Sequence, residues 1–301
     1  MPLPVSGFNR NTLILLIAVV ICWLPAGAGS ARESSAEATA RTDARVAAEL
    51  SSMYGVTPKI ISHVDLTKAF HTKTPWALVA GKEPEREAAD KNPFQEPGAV
   101  SLCFAHNGSV DCSEKVFADH MKQYISRDRE ERLFYELLIS AIVYSGPGKT
   151  RPLLMLRTCT AHSVNGNCGV STFLFDYDRK EDRFYDVFFN VTGRNNNEET
   201  RFIESGPLIG NIIVAYPTDN APFTYWIEVY KRKGSSEFER SLRYRGKTVY
   251  GDGNSLAVID SEMPETLRRL KLWARGQALP VPHDLPAGCK LIMRKGVEWC
   301  E

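Results

Sequence analysis

Residues 171–184, STFLFDYDRKEDRF, run from β-formers through an acidic and basic tip and back into an apolar residue. Aromatic and β-branched residues on either side of a short charged turn predict a hairpin, here with strands at 169–177 and 183–191. The spelling returns at 223–238, FTYWIEVYKRKGSSEF, which predicts strands at 223–231 and 237–246. Each hairpin is preceded by a short apolar run, PLLML at 152–156 and NIIVAY at 211–216. Further strands are expected at 152–159, 200–204 and 210–216. Upstream, 133–143 places Leu133, Tyr135, Leu137, Ile139, Ala141 and Val143 on one alternating face.

The repeated strand, loop and long hairpin loosely resembles a propeller blade of the FG-GAP or VCBS type. Two such units cannot close a ring of at least four blades, so a meandering or sandwich-like sheet is expected instead. The expected fold class is α+β, mainly antiparallel β, with two or three short helices. One helix is predicted from Asp43, a capping residue, to Tyr54, with Val46, Leu50, Met53 and Tyr54 on one face and Gly55 and Pro58 ending it. Another is predicted over 113–126, and a last one from Pro264 to Ala274 with proline at an early position. WALVAG at 76–81 reads as a strand. Residues 82–98 hold three prolines and mark a possible sub-boundary within one domain spanning 43–301.

The 301 residues include seven cysteines, and 37 Lys plus Arg stand against 36 Asp plus Glu. Near-neutrality removes the field that would hold a phosphate backbone, so nucleic acid is excluded as the expected partner. Arg10, the apolar run 13–24 and Ala26-Gly27-Ala28 match a secretory signal peptide, with cleavage after Ala28. Twelve apolar residues fall short of the roughly 20 that a spanning helix needs, so no membrane span is expected in the mature chain. Residues 29–42 are small and polar, and read as a flexible lead. Cleavage would remove Cys22 and leave six cysteines.

Those six form three close pairs: Cys103 with Cys112, Cys159 with Cys168, and Cys289 with Cys300. Six cysteines allow 15 connectivities, but the first pair has internal geometry. Asn107-Gly108 sits midway in FAHNGSVD and suits a two-residue type I′ turn, in which both central residues take positive φ. Counting outward brings Cys103 opposite Cys112 at a non-hydrogen-bonded position, where Cα atoms lie about 4.5 Å apart and a disulfide fits. Asn165-Gly166 and Arg294-Lys295-Gly296 supply turns inside the other two loops. Three local disulfide hairpins are therefore expected. No cysteine has a histidine at ligand spacing, so no metal is expected.

Catalytic spellings are absent: no G-x-S-x-G, H-E-x-x-H or G-x-G-x-x-G occurs. Gly146-Pro147-Gly148-Lys149-Thr150 lacks the first glycine of a phosphate loop, and no cofactor is expected. Asp176, Asp178 and Asp182 could offer oxygens to calcium, but the glycine and terminal glutamate of a calcium loop are missing. Two loops concentrate polar groups, NVTGRNNNEE at 190–199 and YGDGN at 250–254. Arg194, Asn195, Asn196, Glu198, Asp252 and Asn254 are the candidate binding residues, with Phe223, Tyr225, Trp226 and Tyr230 as a possible stacking platform. Asp252, Asp260, Glu262 and His162 are the candidate acid–base groups if the protein is a hydrolase.

The stretches NVTGRNNNEETRFIESGPL and YRGKTVYGDGNSLAVIDSEMPETLRRLKLW resemble uncharacterised exported proteins of Gram-negative bacteria, a proteobacterial periplasmic family with no assigned activity. The resemblance implies a periplasmic or secreted address. The expected function is a non-enzymatic, monomeric binding protein presenting loops to a protein or glycan of the cell envelope. An envelope-polymer hydrolase and a structural envelope component are the alternatives.

Overall fold

The structure is a computed structural model that describes residues 35–84, 98–112, 135–145, 151–162, 168–193, 197–219, 223–234 and 237–301. The predicted helix at 113–126 lies outside the described residues, as do residues 1–34, most of 82–98 and the turn at Asn165-Gly166. Fourteen strands and three α-helices are described. The strands are β1 Lys59–Asp65, β2 Trp76–Lys82, β3 Val100–His106, β4 Ser109–Cys112, β5 Tyr135–Tyr144, β6 Leu153–His162, β7 Cys168–Asp178 and β8 Arg183–Gly193. They continue with β9 Glu199–Phe202, β10 Ile212–Pro217, β11 Thr224–Lys233, β12 Glu237–Val249, β13 Leu291–Arg294 and β14 Val297–Cys300. The helices are α1 Ser35–Tyr54, α2 Thr67–Phe70 and α3 Val258–Arg269.

The first sheet runs β1-β2-β3-β5-β6-β7-β8 with β4 added beside β3, and the second runs β12-β11-β10-β9. Every described pairing is antiparallel. Among the described residues β3 and β5 share one pairing position, Val100 with Tyr135. The two halves of the first sheet pack onto each other. Phe104 of β3 meets Phe175 of β7 at 5.4 Å, and Trp76 of β2 meets Phe184 of β8 at 5.2 Å.

Strand alternation then builds layers. Leu154, Leu156, Phe173 and Phe175 face the β2–β3 half, whereas Leu153, Met155 and Leu174 face Ile212 and Val214 of the second sheet. Ile213 and Ala215 turn the other way and pack, with Tyr225 and Ile227, under Val258, Ile259 and Leu267 of α3. At the opposite end Val46 and Leu50 of α1 cover Ala77, Val79 and Ala105. The order is helix, half-sheet, half-sheet, second sheet, helix. Strands β2 and β6 are consequently buried on both faces, which is why WALVAG and LLML are nearly continuous apolar runs.

Three expectations are corrected. Helix α1 begins at Ser35, so the described part of the predicted flexible lead is helical. In β5 the register shifts between Leu138 and Ser140, leaving Ile139 as the extra residue of a bulge. That bulge switches the inward set to Leu138, Ala141 and Val143 and leaves Ile139 and Ile142 exposed. Pro264 lies inside α3 rather than at its start, because burial of Val258 and Ile259 against the second sheet extends the helix upstream of the proline.

The cysteine hairpin has the expected register, His106 opposite Ser109 through to Cys103 opposite Cys112. Asn107 and Gly108 take φ of 40° and 90°, as the turn demands, and the cysteine Cα atoms lie 4.0 Å apart in a disulfide. Cys289 and Cys300 are likewise bonded across the β13–β14 hairpin, whose turn is Lys295-Gly296. Cys159 is buried and disulfide-bonded, while the side chain of Cys168 lies outside the described residues. No helix among the described residues is long and apolar enough to cross a membrane.

Candidate functional site

Asn197 and Glu198 of the first loop and Tyr250 and Asp252 of the second converge on the Tyr225 hydroxyl. Tyr225 is fully buried and bonded to Asn197; burial pushes its phenol up to about 12, partly offset by that bond, with Asp252 and Glu198 adding to the rise. Their polar groups, however, are used internally. Glu198 Oε2 accepts from the Gly193 N–H at 2.6 Å, and Asp252 accepts from the N–H groups of Asn254 and Val249 at 2.9 and 3.3 Å. Asn254 donates to Ser261 Oγ and the Glu298 carbonyl at 2.8 and 2.9 Å, and accepts from the N–H groups of Leu256 and Cys300. It is a strut between α3 and the C-terminal hairpin. Arg194, Asn195 and Asn196 lie outside the described residues. Of the aromatics, Tyr225 is buried, Tyr230 packs on Phe188 at 5.2 Å and Trp226 carries the Arg243 guanidinium at 4.4 Å.

The acidic tip is also structural. Asp178 accepts from the N–H groups of Lys180 and Glu181, and these bonds hold its carboxyl below the usual range. Asp182 accepts from Tyr177, Trp76 and Thr74, tying the β7–β8 turn to the β2 edge. Burial opposes ionisation of Asp182, yet those donors outweigh it and its pKa is lowered. Among the described residues no group of three His, Cys, Asp or Glu is placed to hold a metal.

The proposed acid–base carboxylates do not share a cleft. Asp252 is in an exposed turn, and the side chain of His162 is outside the described residues. Asp260 is buried and gripped by both terminal nitrogens of Arg201, at 2.6 and 3.1 Å. Burial works against the Arg201 charge, but its bonds to Asp260 and Glu199 prevail and raise its pKa. Glu199, half-buried beside it, is raised by desolvation despite that cation. Glu262 is fully buried and accepts from the N–H groups of Lys247 and Thr248, the Thr248 hydroxyl and Tyr244. Gly246 permits this approach: a Cβ there would meet Glu262 Oε1 at 2.8 Å.

Two cavities bear on the candidate chemistry. An open, polar cleft of about 350 Å3 lies between α1 and strands β1–β3. Its histidines are engaged, His63 Nδ1 with Asp43 at 2.6 Å, and His106 stacked on Trp76 at 3.9 Å. Ser109 and Asp111 both approach His106 through Nε2, so no serine–histidine–aspartate relay is formed, which needs both ring nitrogens. The second, about 240 Å3, is more enclosed and opens where the two sheets meet. Tyr144, Leu153 and Phe202 form its apolar wall, the two rings 4.9 Å apart. Arg151, Lys231 and Arg232 stand at its rim with Glu204. Burial, with Glu204 nearby, raises the Tyr144 phenol, so it stays a neutral donor, while Arg157 partly opposes the shift.

The rim charges are not equivalent. Arg232 and Arg151 share Asp176, which is buried and also accepts from Tyr185. Lys231 has no ion pair among the described residues and is exposed. No family model, curated protein or solved structure matches the chain. The inter-sheet pocket is therefore judged on its own chemistry. Sequence reading missed it because its residues come from β5, β6, β9 and β11, and Lys231 and Arg232 read there as the end of a strand and the start of a charged hairpin tip.

Proposed function

We propose that the chain is an exported, monomeric binding protein whose inter-sheet pocket seats a small organic anion with an apolar body. The observation that carries this reading is the aromatic wall of Tyr144 and Phe202 beneath a rim where Lys231 makes no ion pair among the described residues. Enclosed pockets with an apolar lining and a few convergent charges are the usual form of small-molecule sites. This pocket takes the place of the broad protein- or glycan-facing surface expected from the polar loops, in which Glu198, Asp252 and Asn254 are occupied by internal hydrogen bonds. Export accords with the disulfides and with the signal-like N-terminus, and N-terminal sequencing of secreted protein should begin at Gly29.

Calorimetry with phenylacetate and its neutral amide at pH 7 tests the pocket. The carboxylate should bind at least about tenfold more tightly than the amide, and Lys231→Glu should remove most of that preference. Equal binding of acid and amide, or no binding of either, would refute the reading.

A further inference from the structure

Glu298 of β14 is fully buried, and neither carboxyl oxygen has a hydrogen-bond partner among the described residues. An ionised carboxylate in such a place loses its hydration and gains no donor, whereas the protonated form carries no net charge to desolvate. Its surroundings offer no relief. From α3 comes Asp260, the charge that acts on it most directly, while Glu262 and Glu265 on the same helix are occupied by their own donors. From β9 the Arg201 guanidinium is taken by Asp260 and Glu199. From β12 Lys247 lies at the hairpin's turn, beside Gly296. The segment before the hairpin contributes the His283 backbone N–H, which goes to Asp260, with the His283 side chain exposed. Within the hairpin, Arg294 lies over Trp299 at 4.5 Å.

We propose that the C-terminal hairpin, stapled by Cys289–Cys300, is an acid-strengthened clasp that seats on α3 with Glu298 protonated and loosens when this carboxyl ionises. Burial and the Asp260 charge push Glu298 up to about 7, which puts the transition near neutrality. A carboxyl raised in the folded state contributes stability that is fully present below its unfolded value near 4.5 and is lost as pH rises toward about 7. Loosening would also open the groove of about 340 Å3 that Met293 and Gly296 of the hairpin share with Pro264 and Trp273.

Two measurements on the full chain decide. Carboxyl-carbon NMR of the wild type should show Glu298 titrating near pH 7, and a midpoint below about 5 overturns the proposal. In a His283→Gln background, which removes the imidazole of the residue whose N–H is bonded to Asp260, the unfolding constant is compared with and without Glu298→Gln. Their ratio should change by up to about tenfold per pH unit between 4.5 and 7 and flatten above. Parallel pH dependences overturn it. Should the Gln variant fail to fold, the wild-type midpoint is sufficient by itself: near 7 supports the clasp, below about 5 overturns it.

Discussion

Glu262, on α3 at its seam with β12, and Glu298, on β14 at its seam with α3, are both fully buried glutamates, and the molecule treats them oppositely. Glu262 collects two backbone N–H groups, a threonine hydroxyl and a tyrosine, whereas Glu298 collects no donor among the described residues. The difference shows that burial alone does not fix what a carboxyl does. The β12 seam uses its acid, through these donors, to hold helix to sheet. The β14 seam is a joint that a carboxylate charge would weaken.

Substitutions can break or sharpen that contrast. Glu262→Ala should cost about 3–5 kcal/mol in denaturant unfolding, because it strands several buried donors at once. A loss below about 1 kcal/mol would erase the distinction between the seams. Arg201→Met comes next. It leaves Asp260 and Glu199 together without their shared cation, so it should cost about 3 kcal/mol at pH 8 and visibly less at pH 4, where Glu199, already raised by desolvation, gains its proton. A cost independent of pH would mean that the acids do not interact. Gly246→Ala, which pushes a methyl against Glu262 and the Tyr225 carbonyl, should cost about 1–3 kcal/mol in the same assay. Glu298→Leu is the mildest: within about 1 kcal/mol of wild type at pH 5, and more stable than wild type at pH 8. If it is as damaging as Glu262→Ala at both pH values, the two seams use their acids alike and the contrast fails.

The β architecture was legible because alternation survives in the residues themselves. Leu153 to Leu156 and Phe173 to Phe175 each feed two different cores, and Asn107-Gly108 encodes its own turn. What could not be read is what depends on distant partners. The bulge at Ile139 has no spelling of its own and breaks the face predicted for β5, turning Ile139 out and Leu138 in while Ala141 and Val143 stay inward. Pro264 signals a helix start that burial of Val258 and Ile259 overrides. Asn254 read as a recognition residue because an asparagine in a polar loop looks the same whether it faces solvent or ties Ser261 to Glu298. The inter-sheet pocket draws Tyr144, Phe202 and Lys231 from strands far apart in the chain, and nothing local marks them as neighbours.

The claim that this pocket, rather than the polar loops, is where the protein meets its ligand can be tested by backbone-amide NMR during a phenylacetate titration at pH 7. Saturable shifts clustered at Tyr144, Leu153, Phe202 and Lys231, reduced by Lys231→Glu, are the predicted result. Shifts centred on 190–199 and 250–254, or no saturable shifts anywhere, would contradict it.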